Sequence, residues 1–141
     1  MKEFDKECKR IAAAFGSNKV PAVNRQTMGR YLGYLREKIT LPCQLTGSED
    51  FYWEEFYVLG DGDPDEYEKL KETNPSYTDI FALVGFEDMI HDRYGILAKV
   101  KRIVGKNKKH FTVALDQLTC TNKPSDNEQF INDYAVWFAN W

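Results

Sequence analysis

Ile96-Leu97-Ala98-Lys99-Val100-Lys101-Arg102-Ile103-Val104, followed after Gly105-Lys106-Asn107-Lys108-Lys109 by His110-Phe111-Thr112-Val113-Ala114-Leu115, is the stretch whose reading decides the fold. Apolar and polar residues alternate through Ala98 and Val100 and again through Phe111, Val113 and Leu115, the period of a strand with one wet face. The glycine- and lysine-rich interval is a hairpin loop, so the two runs form an antiparallel pair. Upstream, Ile80-Phe81-Ala82-Leu83-Val84-Gly85-Phe86 is apolar on both faces and fits a central strand of the same sheet. Cys43 to Thr46 and Thr119 to Thr121 supply short extended pieces, and Phe51-Tyr52-Trp53-Glu54-Glu55-Phe56-Tyr57-Val58-Leu59 has the aromatic and β-branched content expected of a further strand.

Helical periodicity brackets these strands. Phe4, Cys8, Ile11, Ala12 and Phe15 mark a weak first helix that stops at Gly16-Ser17-Asn18. Met28, Tyr31, Leu32, Leu35 and Ile39 form one apolar stripe behind the capping residue Asn24, and Leu41-Pro42 ends it. Asp63 as cap with Pro64 at the first helical position starts a short helix over Asp65 to Glu72. At the C-terminal end Ser125 and Glu128 have capping-box spacing ahead of Phe130, Ile131, Tyr134, Ala135 and Phe138. This order of elements predicts an α+β fold in one domain, 1–141, with an acidic insertion at about 60–79.

With 141 residues, 43% of them hydrophobic and 14% aromatic, the chain can bury a core without disulfides or a structural metal. Neither a signal-peptide pattern nor an apolar run of membrane-spanning length is present, so the expected compartment is the cytoplasm. Cys8, Cys43 and Cys120 lack the paired spacing of a zinc knuckle or redox dithiol and read as small apolar side chains or exposed thiols.

The net charge of -3 conceals segregation: residues 49–92 hold fourteen acidic and two basic groups, whereas residues 93–110 hold seven basic groups and no acidic one. Opposite segments of this kind either neutralise each other in the fold or face different partners. In the acidic stretch Asp61, Asp63 and Asp65 alternate and Glu72 falls twelfth from Asp61, a partial match to a calcium loop that fails at the sixth position, Glu66, where the loop needs glycine. Another hard-cation site is open to Asp61, Asp63, Asp65 and Glu66 together with Asp79, Glu87, Asp88 or Asp92 from a neighbouring loop, and Ca²⁺ tolerates such irregular geometry better than Mg²⁺. Lys99, Lys101, Arg102, Lys106, Lys108 and Lys109 on the hairpin could form an anion- or nucleic-acid-facing stripe, against which stand the net acidity and the missing glycine-aromatic pattern of an RNA-recognition motif. His91 and His110 have no metal-ligand or triad spacing, so any active site would be non-local and no catalytic residue is named. Surplus aromatics offer a surface for a protein partner or a second copy of the chain.

Tyr31-Leu32-Gly33-Tyr34-Leu35 before Leu41-Pro42-Cys43, the hairpin ending Val113-Ala114-Leu115-Asp116-Gln117-Leu118, and Asn132-Asp133-Tyr134-Ala135-Val136-Trp137-Phe138 together resemble the small acidic calcium-binding protein family first known from cyanobacteria. The arrangement is also similar to small proteins carried on mobile (integron) gene cassettes. The resemblance implies a small antiparallel SH3-like barrel, or a strongly curved sheet, with N-terminal and C-terminal helices packed against it. It further implies a non-enzymatic role with Ca²⁺ as ligand, and it supplies no ligand set, because the segment from Asp61 to Tyr77 departs from the family pattern. The alternatives from the residues themselves are an interaction module built on the hairpin 99–110 and exposed aromatics, or a small enzyme with a non-local site.

Overall fold

A computed structural model describes residues 3–103 and 108–141. The helices are α1 (Glu3–Ala14), α2 (Arg25–Lys38), α3 (Glu55–Val58), α4 (Pro64–Leu70) and α5 (Asp126–Asn140); the strands are β1 (Gln44–Gly47), β2 (Ile80–Phe86), β3 (Leu97–Arg102), β4 (His110–Ala114) and β5 (Leu118–Cys120). All strand pairings are antiparallel, in the order β4-β3-β2-β1-β5. The hairpin is present as β3 and β4 with Val100 opposite Phe111 and Ala98 opposite Val113, its loop tip lying outside the described residues.

Two expectations need correction. The sheet is neither closed into an SH3-like barrel nor strongly curled: β4 and β5 are its two edges and do not pair with each other. Closure needs long staggered edge strands, but β5 is three residues long and the chain then leaves the sheet for α5. The second correction concerns Phe51 to Leu59, which is helical, with a 3-10 turn over Tyr52–Glu54 running into α3. Tertiary anchoring overrides strand propensity there. Phe51 is buried, the Trp53 indole N–H donates to the Pro75 carbonyl at 2.6 Å, and the Glu54 carboxylate is drawn fully inside.

The helices α1, α2 and α5 meet around a cluster of rings. Tyr31 lies 5.1 Å from Trp137 and 5.5 Å from Tyr134 between ring centroids, and Phe15 lies 5.3 Å from Trp137. The cluster has polar anchors at its margins: the Trp137 indole donates to the Pro21 carbonyl, and the Tyr134 hydroxyl accepts the Ile96 N–H at 2.9 Å, tying α5 to the start of β3. Arg10 reaches from α1 to the buried Asp133 of α5 through two hydrogen bonds. Gly95 sits against the same hydroxyl at φ +72°, and a Cβ there would lie 2.5 Å from it and 2.8 Å from the Phe138 ring.

The acidic segment is fastened to this frame by a second buried network. The Glu54 carboxylate accepts from Phe51 N, Tyr67 Oη, Ser76 Oγ and Tyr77 N, the last three at 2.7 Å. Arg102, on the same face of β3 as Ala98 and Val100, pairs with Asp79 and donates to the carbonyls of Lys71, Glu72 and Asn74. Asp79 in turn accepts the Ser76 N–H, so the two clusters share one loop.

Three outcomes follow from this packing. Gly95→Ala combines a left-handed backbone with a clash and is expected to cost at least about 2 kcal/mol in denaturant unfolding. Glu54→Gln, which leaves donors facing an amide nitrogen, should cost about 2–3 kcal/mol and speed amide exchange across 64–79 before the rest of the chain. Burial pushes the Tyr31 and Tyr134 phenols above the ordinary tyrosine range. The folded state therefore keeps protons that the unfolded chain releases near about pH 10, so stability is complete below that pH and falls as pH rises past it. Tyr31→Phe should flatten that alkaline slope in thermal melts at stepped pH.

Candidate functional site

The carboxylates of the acidic stretch fall into separate places with separate partners. Asp63 caps α4, its Oδ1 accepting the Asp65 N–H at 3.1 Å, and Asp61 and Asp65 stand exposed on either side of it. Glu66 accepts the Tyr57 hydroxyl at 3.2 Å. Asp79 is held by Arg102, Asp88 by Arg36 at 2.7 Å, and Asp92 by Arg25. Glu87 accepts the Thr112 hydroxyl at 3.3 Å across the sheet. A Ca²⁺ shell takes six to eight oxygens, and among the described residues no three His, Cys, Asp or Glu side chains are gathered to hold a metal. The residues present thus do not make a finished cation site.

The basic residues divide by strand alternation. Lys99 and Lys101 lie on the face of β3 opposite Ala98, Val100 and Arg102, with Lys101 paired to His110 and Lys99 to Thr112 on β4. Lys108 and Lys109 are exposed immediately before β4, and Lys106 lies outside the described residues. Arg102 is only 4% exposed and its guanidinium is filled by Asp79 and three carbonyls, while its face rests 4.9 Å from the Phe111 ring. It holds the fold together and presents little surface to an outside anion.

Among the described residues neither imidazole has the partner a nucleophile or relay would require. His91 Nδ1 accepts the backbone N–H groups of Arg93 and Tyr94, and its ring stacks on Tyr94 at 4.7 Å; His110 is exposed. Cys43, immediately before β1, and Cys120, on β5, are distant in sequence yet brought together as buried free thiols with their sulfurs 3.8 Å apart. Sequence spacing could not show that proximity, because it is produced by the pairing of the first and last strands.

A concave feature that the sequence did not announce lies where the Phe51–Glu54 turn, the 91–94 turn and the joined ends of β3 and β4 meet. It is a cavity of about 380 Å³ walled by Phe51, Tyr52, Trp53, Tyr94 and Leu97, with Gln117 among its residues. Reading residues 51–59 as a strand hid it, since only the helical turn carries Tyr52 and Trp53 to the same rim as Tyr94, 5.4 Å from Tyr52. Among the described residues no helix is long and apolar enough to cross a membrane.

No protein-family model matches the sequence, and no curated protein matches it. The structure is similar to the crystal structure of Anabaena CcbP, with a TM-score of 0.59 and 13% sequence identity, over 99% of this chain and 94% of that chain. The likeness to mobile gene-cassette proteins finds no counterpart in these comparisons and is withdrawn. At 13% identity, the likeness to Anabaena CcbP is one of fold.

Proposed function

We propose that this chain is a small non-enzymatic binding protein that takes Ca²⁺ at its acidic segment, on the loop bearing Asp61, Asp63 and Asp65. One observation carries the choice of loop. Asp79, Asp88 and Asp92 are occupied by arginines, whereas Asp61 and Asp65 are exposed and have no basic partner among the described residues. The sequence resemblance to the small acidic calcium-binding family and the fold shared with Anabaena CcbP support the same ligand. Because the carboxylates are not gathered in advance, affinity belongs at the weak end of calcium modules, about 10⁻⁴–10⁻³ M.

A second reading rests on Lys99 and Lys101 sharing the outer face of β3 beside exposed Lys108 and Lys109. That face would contact a polyanion or an acidic partner protein, with binding that weakens steeply as salt rises.

Calorimetry and thermal melts in millimolar CaCl₂ test the calcium reading, since a ligand that prefers the native state raises its melting temperature. The expected result is a Ca²⁺-dependent rise that Asp61→Asn with Asp65→Asn abolishes. An equal rise in NaCl of matched ionic strength, or no heat and no rise, sinks it, because relief of acidic repulsion alone would then account for the response.

A further inference from the structure

The cavity beside the Phe51–Glu54 turn has the composition of a small-molecule site. Its volume of about 380 Å³ is within the range of ligand pockets, roughly 300–1,000 Å³. The walls are largely aromatic and aliphatic, and their rings are held in place: Trp53 by its bond to Pro75, Tyr94 by its stack on His91 and its contact with Tyr52. Among the described residues that line it, none is an acid, lysine or arginine. His91 also lines the cavity, and its Nδ1 accepts the backbone N–H groups of Arg93 and Tyr94. An ion entering this space would lose water and meet no opposite charge on the walls, which favours a neutral occupant.

Gln117 supplies the polar group. The residue is 7% exposed and lines the cavity, yet its side-chain amide has no hydrogen-bond partner among the described residues. Neither amide atom is sealed from solvent-accessible space, since no buried side-chain nitrogen or oxygen is left without a partner. A largely buried polar residue is ordinarily satisfied within the protein, so this amide is a donor and acceptor pair without a protein partner on a residue that lines the cavity. Its backbone is fixed independently, the Gln117 carbonyl accepting the Ser48 N–H at 2.9 Å.

We propose that this cavity binds a neutral, planar heteroaromatic molecule that stacks among Tyr52, Trp53 and Tyr94 and presents an adjacent N–H and C=O, a lactam edge, to the Gln117 amide. An amide and a lactam pair through two antiparallel hydrogen bonds, one from each partner, and aromatic walls add stacking that does not depend on the ligand's substituents. The proposal is independent of calcium binding and is tested in the presence of chelator.

The probe is 2-quinolone, with quinoline as the ring of equal shape that lacks the lactam edge, each titrated into ¹⁵N-labelled protein. The expected result is movement of the Gln117 side-chain NH₂ and Trp53 indole resonances by 2-quinolone at millimolar concentration, with quinoline at least about fivefold weaker, the effect of losing one to two net hydrogen bonds. Gln117→Leu should remove that preference while leaving quinoline binding in place, and Tyr52→Ala, at an exposed position, should weaken both. Resonances that stay in place with 2-quinolone, or quinoline binding as tight as the lactam, overturn the proposal. If Gln117→Leu does not fold, the comparison of the two ligands on the unmodified chain decides.

Discussion

Arg102 projects its guanidinium from the inner face of β3 into the loop that follows α4 and anchors the acidic segment there. A buried guanidinium without partners would be strongly destabilising, and here it receives Asp79 together with three carbonyls that follow α4. Those carbonyls belong to a short helix end that would otherwise depend on water. One side chain thus ends α4, orients the loop that delivers Ser76 and Tyr77 to Glu54, and through Glu54 forces residues 52–58 into a helical turn against the sheet. The aromatic cavity is a consequence of that turn, so the candidate ligand pocket and the acidic loop share a single support.

The segregation of charge along the chain acquires a mixed physical meaning in this arrangement. Arg102 and Asp79 neutralise each other inside, and Arg25 and Arg36 of α2 reach Asp92 and Asp88 from outside the basic hairpin altogether. Lys99 and Lys101 remain on the outer face of β3, and Asp61 and Asp65 remain exposed near α4. Opposite charges are therefore partly paired and partly left as two fields on different elements. Exposed pairs such as Arg36–Asp88 contribute little to stability; their effect is to remove carboxylates from the set available to a cation.

Periodicity made much of the fold legible. The stripe through Met28, Tyr31, Leu32 and Leu35 became the buried side of α2, Asn24 caps it, and Ser125 caps α5 through the Glu128 N–H. Strands β3 and β4 follow from alternation and turn residues, and β2 from a run apolar on both faces. Residues 51–59 misled because aromatic content suits a strand and a packed helical turn equally, and the deciding contacts, Trp53 to Pro75 and Glu54 to Ser76, are between segments far apart in sequence. Sheet closure was not legible for a related reason: whether two edges meet depends on strand lengths and on where α5 settles, neither of which local pattern encodes. The acidic residues were visible as candidates, but their partners were not, since Arg25, Arg36 and Arg102 come from other elements.

The position of β5 beside β1 has a bearing on how the molecule is made. Leu45 faces Cys120 across that pairing, and α5 is the surface against which α1 and α2 bury their rings. During synthesis the first two helices therefore emerge long before the element that covers them. Contacts so distant in sequence slow folding, because loop entropy is lost before the packing is gained. The nascent chain carries Phe15 and Tyr31 without their α5 partners until α5 is made, an interval in which uncovered aromatic surface is exposed to aggregation and to chaperone capture.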